Sequence, residues 1–114
     1  MHTKKFSESA RKVIATEGKA ILSLLKQIDS SFEQACELLL NCQGHIVVIG
    51  IGKSGHIGNK IAATLASTGS PAFFIHAAEA NHGDLGMINS KDVVLAISHS
   101  GETDELISIL PTLK

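Results

Sequence analysis

The sequence predicts a doubly wound α/β domain on a parallel sheet, preceded by two helices. Three observations carry this. His45-Ile-Val-Val-Ile49 is a continuous, mostly β-branched run, the pattern of a strand buried on both faces. Ahead of it apolar residues recur at helical spacing; after it, short apolar runs alternate with helical stripes. The order is therefore helix, helix, then β-α-β-loop-β-α, which implies parallel strands joined by right-handed crossovers.

The first helix is expected over about residues 8–28. Val13, Ile14, Ile21, Leu24, Leu25 and Ile28 fall on one face at steps of three, four and seven. Ser30-Ser31-Phe32-Glu33 has the form of a capping box, with the hydroxyl of Ser30 three residues before a carboxylate. Phe32, Ala35, Cys36, Leu39 and Leu40 form the stripe of a second helix, which ends near Asn41 to Gly44. Residues 1–44 are read as a helical segment, serving as scaffold or subunit interface. Residues 45–114 are read as the N-terminal half of the sheet domain.

Within that domain the first strand runs into Gly50-Ile-Gly-Lys-Ser-Gly55, and a helix starts near Ser54 with Ile57, Ile61, Ala62, Leu65 and Ala66 on one side. Gly69 supplies its left-handed cap and Pro71 forbids continuation. Ala72 to Ile75 is a second strand. A Gly- and His-rich loop leads to a third over residues 92–97, and Ser98 to Thr103 opens a last helix carrying Leu106, Ile109 and Leu110. Three strands leave open sheet edges. The expectation is that the chain stops partway through a domain, which more chain or a partner would complete.

Composition narrows the function. Among 114 residues, ten basic side chains face eleven acidic ones, for a net charge of −1, and Arg11 is the single arginine. Nucleic-acid binding is not expected, because phosphate-backbone contacts need clustered Lys and Arg. No apolar run approaches the ~20 residues of a membrane span, and residues 1–17 carry no signal-peptide core. Cys36 and Cys42 sit six apart, without redox or zinc spacing, and are read as buried thiols in a reducing cytoplasm.

Two loops at strand ends carry candidate chemistry, where open α/β sheets bind ligands. Gly50-x-Gly52-x-x-Gly55 satisfies the dinucleotide pattern, but the second strand ends in Ile75-His76 rather than in the acid that would hold a ribose. A P-loop fails because its first glycine would fall at Val47. The other loop, Ser98-x-Ser100-Gly101-x-Thr103, offers three hydroxyls and backbone N–H groups at a helix start. That arrangement binds phosphate without arginine, or simply caps the helix. Ser54 adds a hydroxyl from the neighbouring strand end, which favours phosphate. His76 and His82, with Asp84 nearby, form a candidate metal set.

Several segments together resemble one family. Ile49-Gly-Ile-Gly-Lys-Ser-Gly-His-Ile-Gly58, Ala63-Thr-Leu-Ala-Ser-Thr-Gly69, Pro71-Ala-Phe-Phe-Ile-His76, His82-Gly-Asp-Leu-Gly-Met87 and Ala96-Ile-Ser-His-Ser-Gly-Glu102 are similar to the arabinose-5-phosphate isomerases of the sugar isomerase (SIS) domain superfamily. His99 departs from the Asn more usual there. The resemblance implies a flavodoxin-like three-layer α/β/α fold and interconversion of D-arabinose 5-phosphate and D-ribulose 5-phosphate, supplying Kdo for lipopolysaccharide. It implies catalytic roles for Lys53 and Glu105, substrate contacts at Gly69, Ser70 and His82, and a zinc-site position at His76. With Ser54, Ser98, Ser100 and Thr103 as phosphate contacts, no cofactor is required, and zinc would be adventitious or inhibitory. The expected assembly is a cytoplasmic homo-oligomer, a tetramer by resemblance. The rivals are a non-catalytic sugar-phosphate sensor and an isomerase of a different phosphosugar, a hexose phosphate or sedoheptulose 7-phosphate.

Overall fold

The computed structural model describes residues 2–80 and 83–99. These residues form two compact units, divided between Glu37 and Leu38.

The first unit is helical. α1 spans His2–Ser23, a 3-10 turn covers Leu24–Gln27, and α2 covers Ser30–Leu40, its last three residues counting with the second unit. Ile28 turns extended and ends the first helix five residues after Ser23, so the long apolar stripe is shared between α-helix and 3-10 turn. The expected capping box is corrected: the Asp29 carboxylate accepts the N–H groups of Ser31 (3.0 Å) and Phe32 (3.3 Å). A carboxylate one residue ahead of the serines suits both the orphan N–H groups and the helix dipole. The cysteine reading is also corrected, since Cys36 is exposed and Cys42 only half-buried. Cys42 Sγ instead lies 3.5 Å from the His45 carbonyl oxygen and 3.7 Å from that of Lys91.

The second unit holds the sheet. β1 (Ile46–Gly50), β2 (Ala72–His76) and β3 (Val93–Ile97) are all parallel, in the order β2-β1-β3. α3 (Gly52–Ser67) links β1 to β2. The stretch expected as loop between β2 and β3 contains a short helix, α4 (Ala77–Ala80), and a 3-10 turn at Asp84–Met87. The predicted final helix lies outside the described residues.

β1 is buried throughout, as its unbroken apolar run requires. Its side chains serve two cores. Val47 and Ile49 pack with Ile75 and Ala77 on one face; Ile46 and Val48 pack with Ala62 of α3 on the other. Leu39, Leu65 and Phe74 complete the α3 side. Glycines let α3 sit close. A Cβ on Gly58 would come within 3.1 Å of both Phe74 Cε1 and Val48 Cγ1. Gly58→Leu should therefore destabilise the fold by about 1–3 kcal/mol through overpacking, read as a lower denaturant midpoint at unchanged slope. An unchanged midpoint would show that α3 can lift without loss.

The amino end of the sheet is tied by Asp92, whose side chain is 1 % exposed. It accepts the backbone N–H of His45 at 2.7 Å and of Asn89 at 2.9 Å, and its Oδ1 lies 3.9 Å from His45 Nδ1. These two N–H donors, Asn89 first, hold the carboxyl below its ordinary value, and the His45 charge adds to this when protonated. A pKa lowered on folding contributes stability that is present above the unfolded value of about 3.9 and is lost as pH falls through the folded one. Asp92→Asn should lower Tm at pH 7 and flatten the fall in Tm below about pH 4. An equally steep acid fall in the variant would assign that slope to other carboxylates.

Candidate functional site

Parallel strands present their carboxyl ends together, and here register aligns Gly50 with His76 on one side and with Ile97 on the other. The residues just beyond these three positions therefore meet at one end of the sheet. They are Lys53 and Ser54 after β1, His76 closing β2, and Ser98 and His99 after β3. The chain leaves β1 toward β2 and returns to its other side as β3. The crevice between β1 and β3 is thus the point where the winding reverses, the place such sheets reserve for ligands.

The Gly50–Gly55 turn has local causes. Gly52 has φ +60°, the left-handed region that glycine tolerates. A Cβ on Gly50 would lie 3.0 Å from the Ser54 carbonyl oxygen and 3.1 Å from the Gly55 N and Cα. The Gly55 N–H in turn bonds the Ile51 carbonyl at 3.1 Å. The glycine pattern thus serves a tight strand-to-helix turn, and that turn delivers Lys53 and Ser54 in the first turn of α3. Ser54 is half-buried and Lys53 exposed. No acidic side chain shares that turn, so the helix end and the lysine together favour an anion there.

Beside this end lies a cavity of about 230 Å³ lined by Gly52, Gly55, His56, Asn59, Phe74 and His76. His56 and Asn59 are not among the residues that the sequence singles out. Their spacing of three on α3, with the helix start already placed, is the available signal. His76 sits edge-on to Phe74, with ring centroids 6.5 Å apart, and its Nδ1 accepts the Ala78 N–H at 3.2 Å. That bond places the imidazole hydrogen on Nε2, so a metal binding this ring would displace either the Ala78 bond or that hydrogen. Among the described residues no three His, Cys, Asp or Glu side chains gather as metal ligands. His82 and the side chain of Asp84, the other members of the candidate metal set, lie outside the described residues.

Gly69 and Ser70 fall elsewhere. α3 runs back across the sheet for 16 residues, about 24 Å, before reaching them. They stand at its C-terminus, at the amino end of the strands. Gly69 has φ +104° and the Ser70 N–H bonds the Leu65 carbonyl at 2.9 Å, a helix C-cap. Within one chain they do not meet Lys53. His82, Ser100, Thr103 and Glu105 lie outside the described residues, which leaves Lys53, Ser54, His76 and Ser98 as the predicted residues that share the site end. Among the described residues, no helix is long and apolar enough to cross a membrane.

The chain is 58 % identical to the arabinose 5-phosphate isomerase KdsD of Pseudomonas aeruginosa over 109 residues, covering 96 % of this chain and 33 % of that protein. It is 53 % identical to the arabinose 5-phosphate isomerase KpsF of Escherichia coli over 107 residues, covering 93 % and 34 %. The structure of an E. coli CFT073 protein in complex with arabinose 5-phosphate superposes with a TM-score of 0.92 at 45 % identity, covering 99 % of this chain and 60 % of that one. The chain thus spans about a third of the length of the curated relatives it matches. The SIS domain family matches residues 39–114, from the end of α2 through all three strands, and the chain belongs to that family.

Proposed function

We propose that this chain forms the phosphosugar-binding part of an aldose–ketose isomerase that interconverts D-arabinose 5-phosphate and D-ribulose 5-phosphate. The observation that carries the reading is the convergence of Lys53, Ser54 and Ser98 at the carboxyl ends of β1 and β3, in a chain so similar to proteins named for that activity. The product would enter Kdo and lipopolysaccharide synthesis in the cytoplasm.

The chemistry requires three things. A base removes the proton from C2 of the aldose while the carbonyl oxygen at C1 gains one, giving a cis-enediol. The proton returns at C1 as the C2 hydroxyl gives up its own, leaving the ketose. A carboxylate at C2, a cation at the developing oxyanion and a phosphate anchor suffice. Glu105 is the base, Lys53 the cation, and the N–H groups and hydroxyls of the 98–103 loop, with Ser54, the anchor. His82 contacts the sugar. Anchoring the remote phosphate places C1 and C2 for proton transfer. Gly69 and Ser70, at the far end of α3, contribute to such a site only from another copy, in keeping with a homo-oligomer, taken as a tetramer.

No cofactor enters these steps. Zinc, if it binds at His76, is an inhibitor. A chelator should leave turnover unchanged, and added zinc should inhibit the wild type more than His76→Ala; activity lost to the chelator would end this reading.

The direct test is isomerase activity on D-arabinose 5-phosphate, compared between residues 1–114 and a form extended past Lys114. Turnover in the longer form supports the assignment. Phosphosugar binding without turnover in both would make the chain a sensor.

A further inference from the structure

α1 shows where a second copy would bind. Phe6, Val13, Ile14 and Ile21 lie on one side of this helix and are between 54 % and 73 % exposed. One carboxylate, Glu17, interrupts their stripe. Its helical neighbours at three and four residues are Val13, Ile14, Ala20 and Ile21, so no cation on its own helix stands at pairing distance. Arg11 stands on the edge of the same stripe. The single ion pair among the described residues is His45–Asp92, so Arg11 is not paired with Glu8 one turn before it.

We propose that α1 packs antiparallel against α1 of a second copy, crossing at Ile14, so that Glu17 of each copy pairs with Arg11 of the other. The symmetry makes this geometry self-consistent. In a two-fold contact crossing at Ile14, positions three residues either side of the crossing face each other, which joins Glu17 to Arg11 twice. Four residues either side, Ala10 faces Gly18, where a Cβ would have open space. Small residues there let the helices approach, and the two Ile14 side chains meet at the centre. Residues 5–23 overlap their counterparts over about 28 Å. A parallel pair would set Glu17 against Glu17 on an apolar seam, which like charges forbid. The inference rests on the homo-oligomer reading above and adds its contact.

The test is self-association of the 114-residue chain by light scattering and sedimentation, in wild type, Glu17→Arg and Arg11→Glu. Both positions are exposed, so helicity by circular dichroism should not change. Each single reversal sets two like-charged pairs at the seam and should weaken association about tenfold or more. An equimolar mixture of the two variants restores opposite charges at both pairs and should associate within about threefold of wild type. Unchanged association in both single variants, or no recovery on mixing, overturns this pairing and leaves the oligomer standing. A wild-type chain that stays monomeric throughout overturns both and points to another segment or partner on the α1 face.

Discussion

On the proposed reading, Lys53→Ala in a form extended past Lys114 should lower kcat by about 10²–10³ while leaving the stability of the fold unchanged or slightly raised. The two halves of this expectation have one cause. Lys53 occupies the first turn of α3, where the partial positive charge of the helix end already accumulates and no acidic residue offsets it. A lysine there opposes the dipole by about 0.3–1 kcal/mol, and an alanine is the better helix former. Folding alone gives no reason for this side chain. An oxyanion between the strand ends would, because the lysine and the helix end would then act on one developing charge. Affinity for the phosphosugar should change less than kcat, since the charge that Lys53 is proposed to meet would exist chiefly in the transition state. Steady-state kinetics with a thermal melt decide it: unchanged kcat removes Lys53 from the mechanism, and a large fall in Tm makes the loss structural.

Glu105→Gln should lower kcat by about 10²–10⁴ with phosphosugar affinity within a few-fold of wild type. Glutamine keeps the shape and the hydrogen-bonding reach of the side chain but cannot take the C2 proton. Ground-state contacts survive while the proton transfer does not, which is the signature of a lost base. Glu102, three residues earlier, is the control: if Glu102→Gln carries the loss and Glu105→Gln does not, the base has been assigned to the wrong carboxylate. Loss of solvent-deuterium exchange at C2 would tie the effect to the proton step.

The parts of the fold readable in the sequence are those in which one physical requirement dominates. β1 must shed every polar side chain because both faces are covered, and Ile46–Ile49 says so unambiguously. Gly69 and Pro71 announce the end of α3 for reasons internal to the backbone. Features that depend on distant partners are not readable. Asp92 looks like an ordinary acid before a strand until the fold brings the His45 N–H, 47 residues earlier, onto its carboxylate. The general habit of cysteine points to burial for Cys36 and Cys42, whereas α2 exposes one and the turn after it half-exposes the other. At the site, the turn after β1 can be placed because glycine spacing is local. The separation of Gly69 and Ser70 from Lys53 is readable from the same local signals, which put them at opposite ends of α3, although motif similarity alone groups them in one site. His56 and Asn59 escape notice in the sequence because they matter only through a cavity wall that β2 completes.

The pairing order of the sheet also sets the time at which the crevice exists. Ile46 pairs with Ala72, 26 residues on, and with Val93, 47 residues on. Closing the longer loop costs about 0.5 kcal/mol more in chain entropy, and parallel pairing at such range is slow. β1, α3 and β2 can assemble with their own helix as cover, whereas β3 must dock onto a strand whose other edge is already taken. The β1–β3 crevice is then expected to form last and to open first. Amide exchange should follow this order, fastest in Val93–Ile97, and a phosphosugar held between the two strands should slow it there most of all.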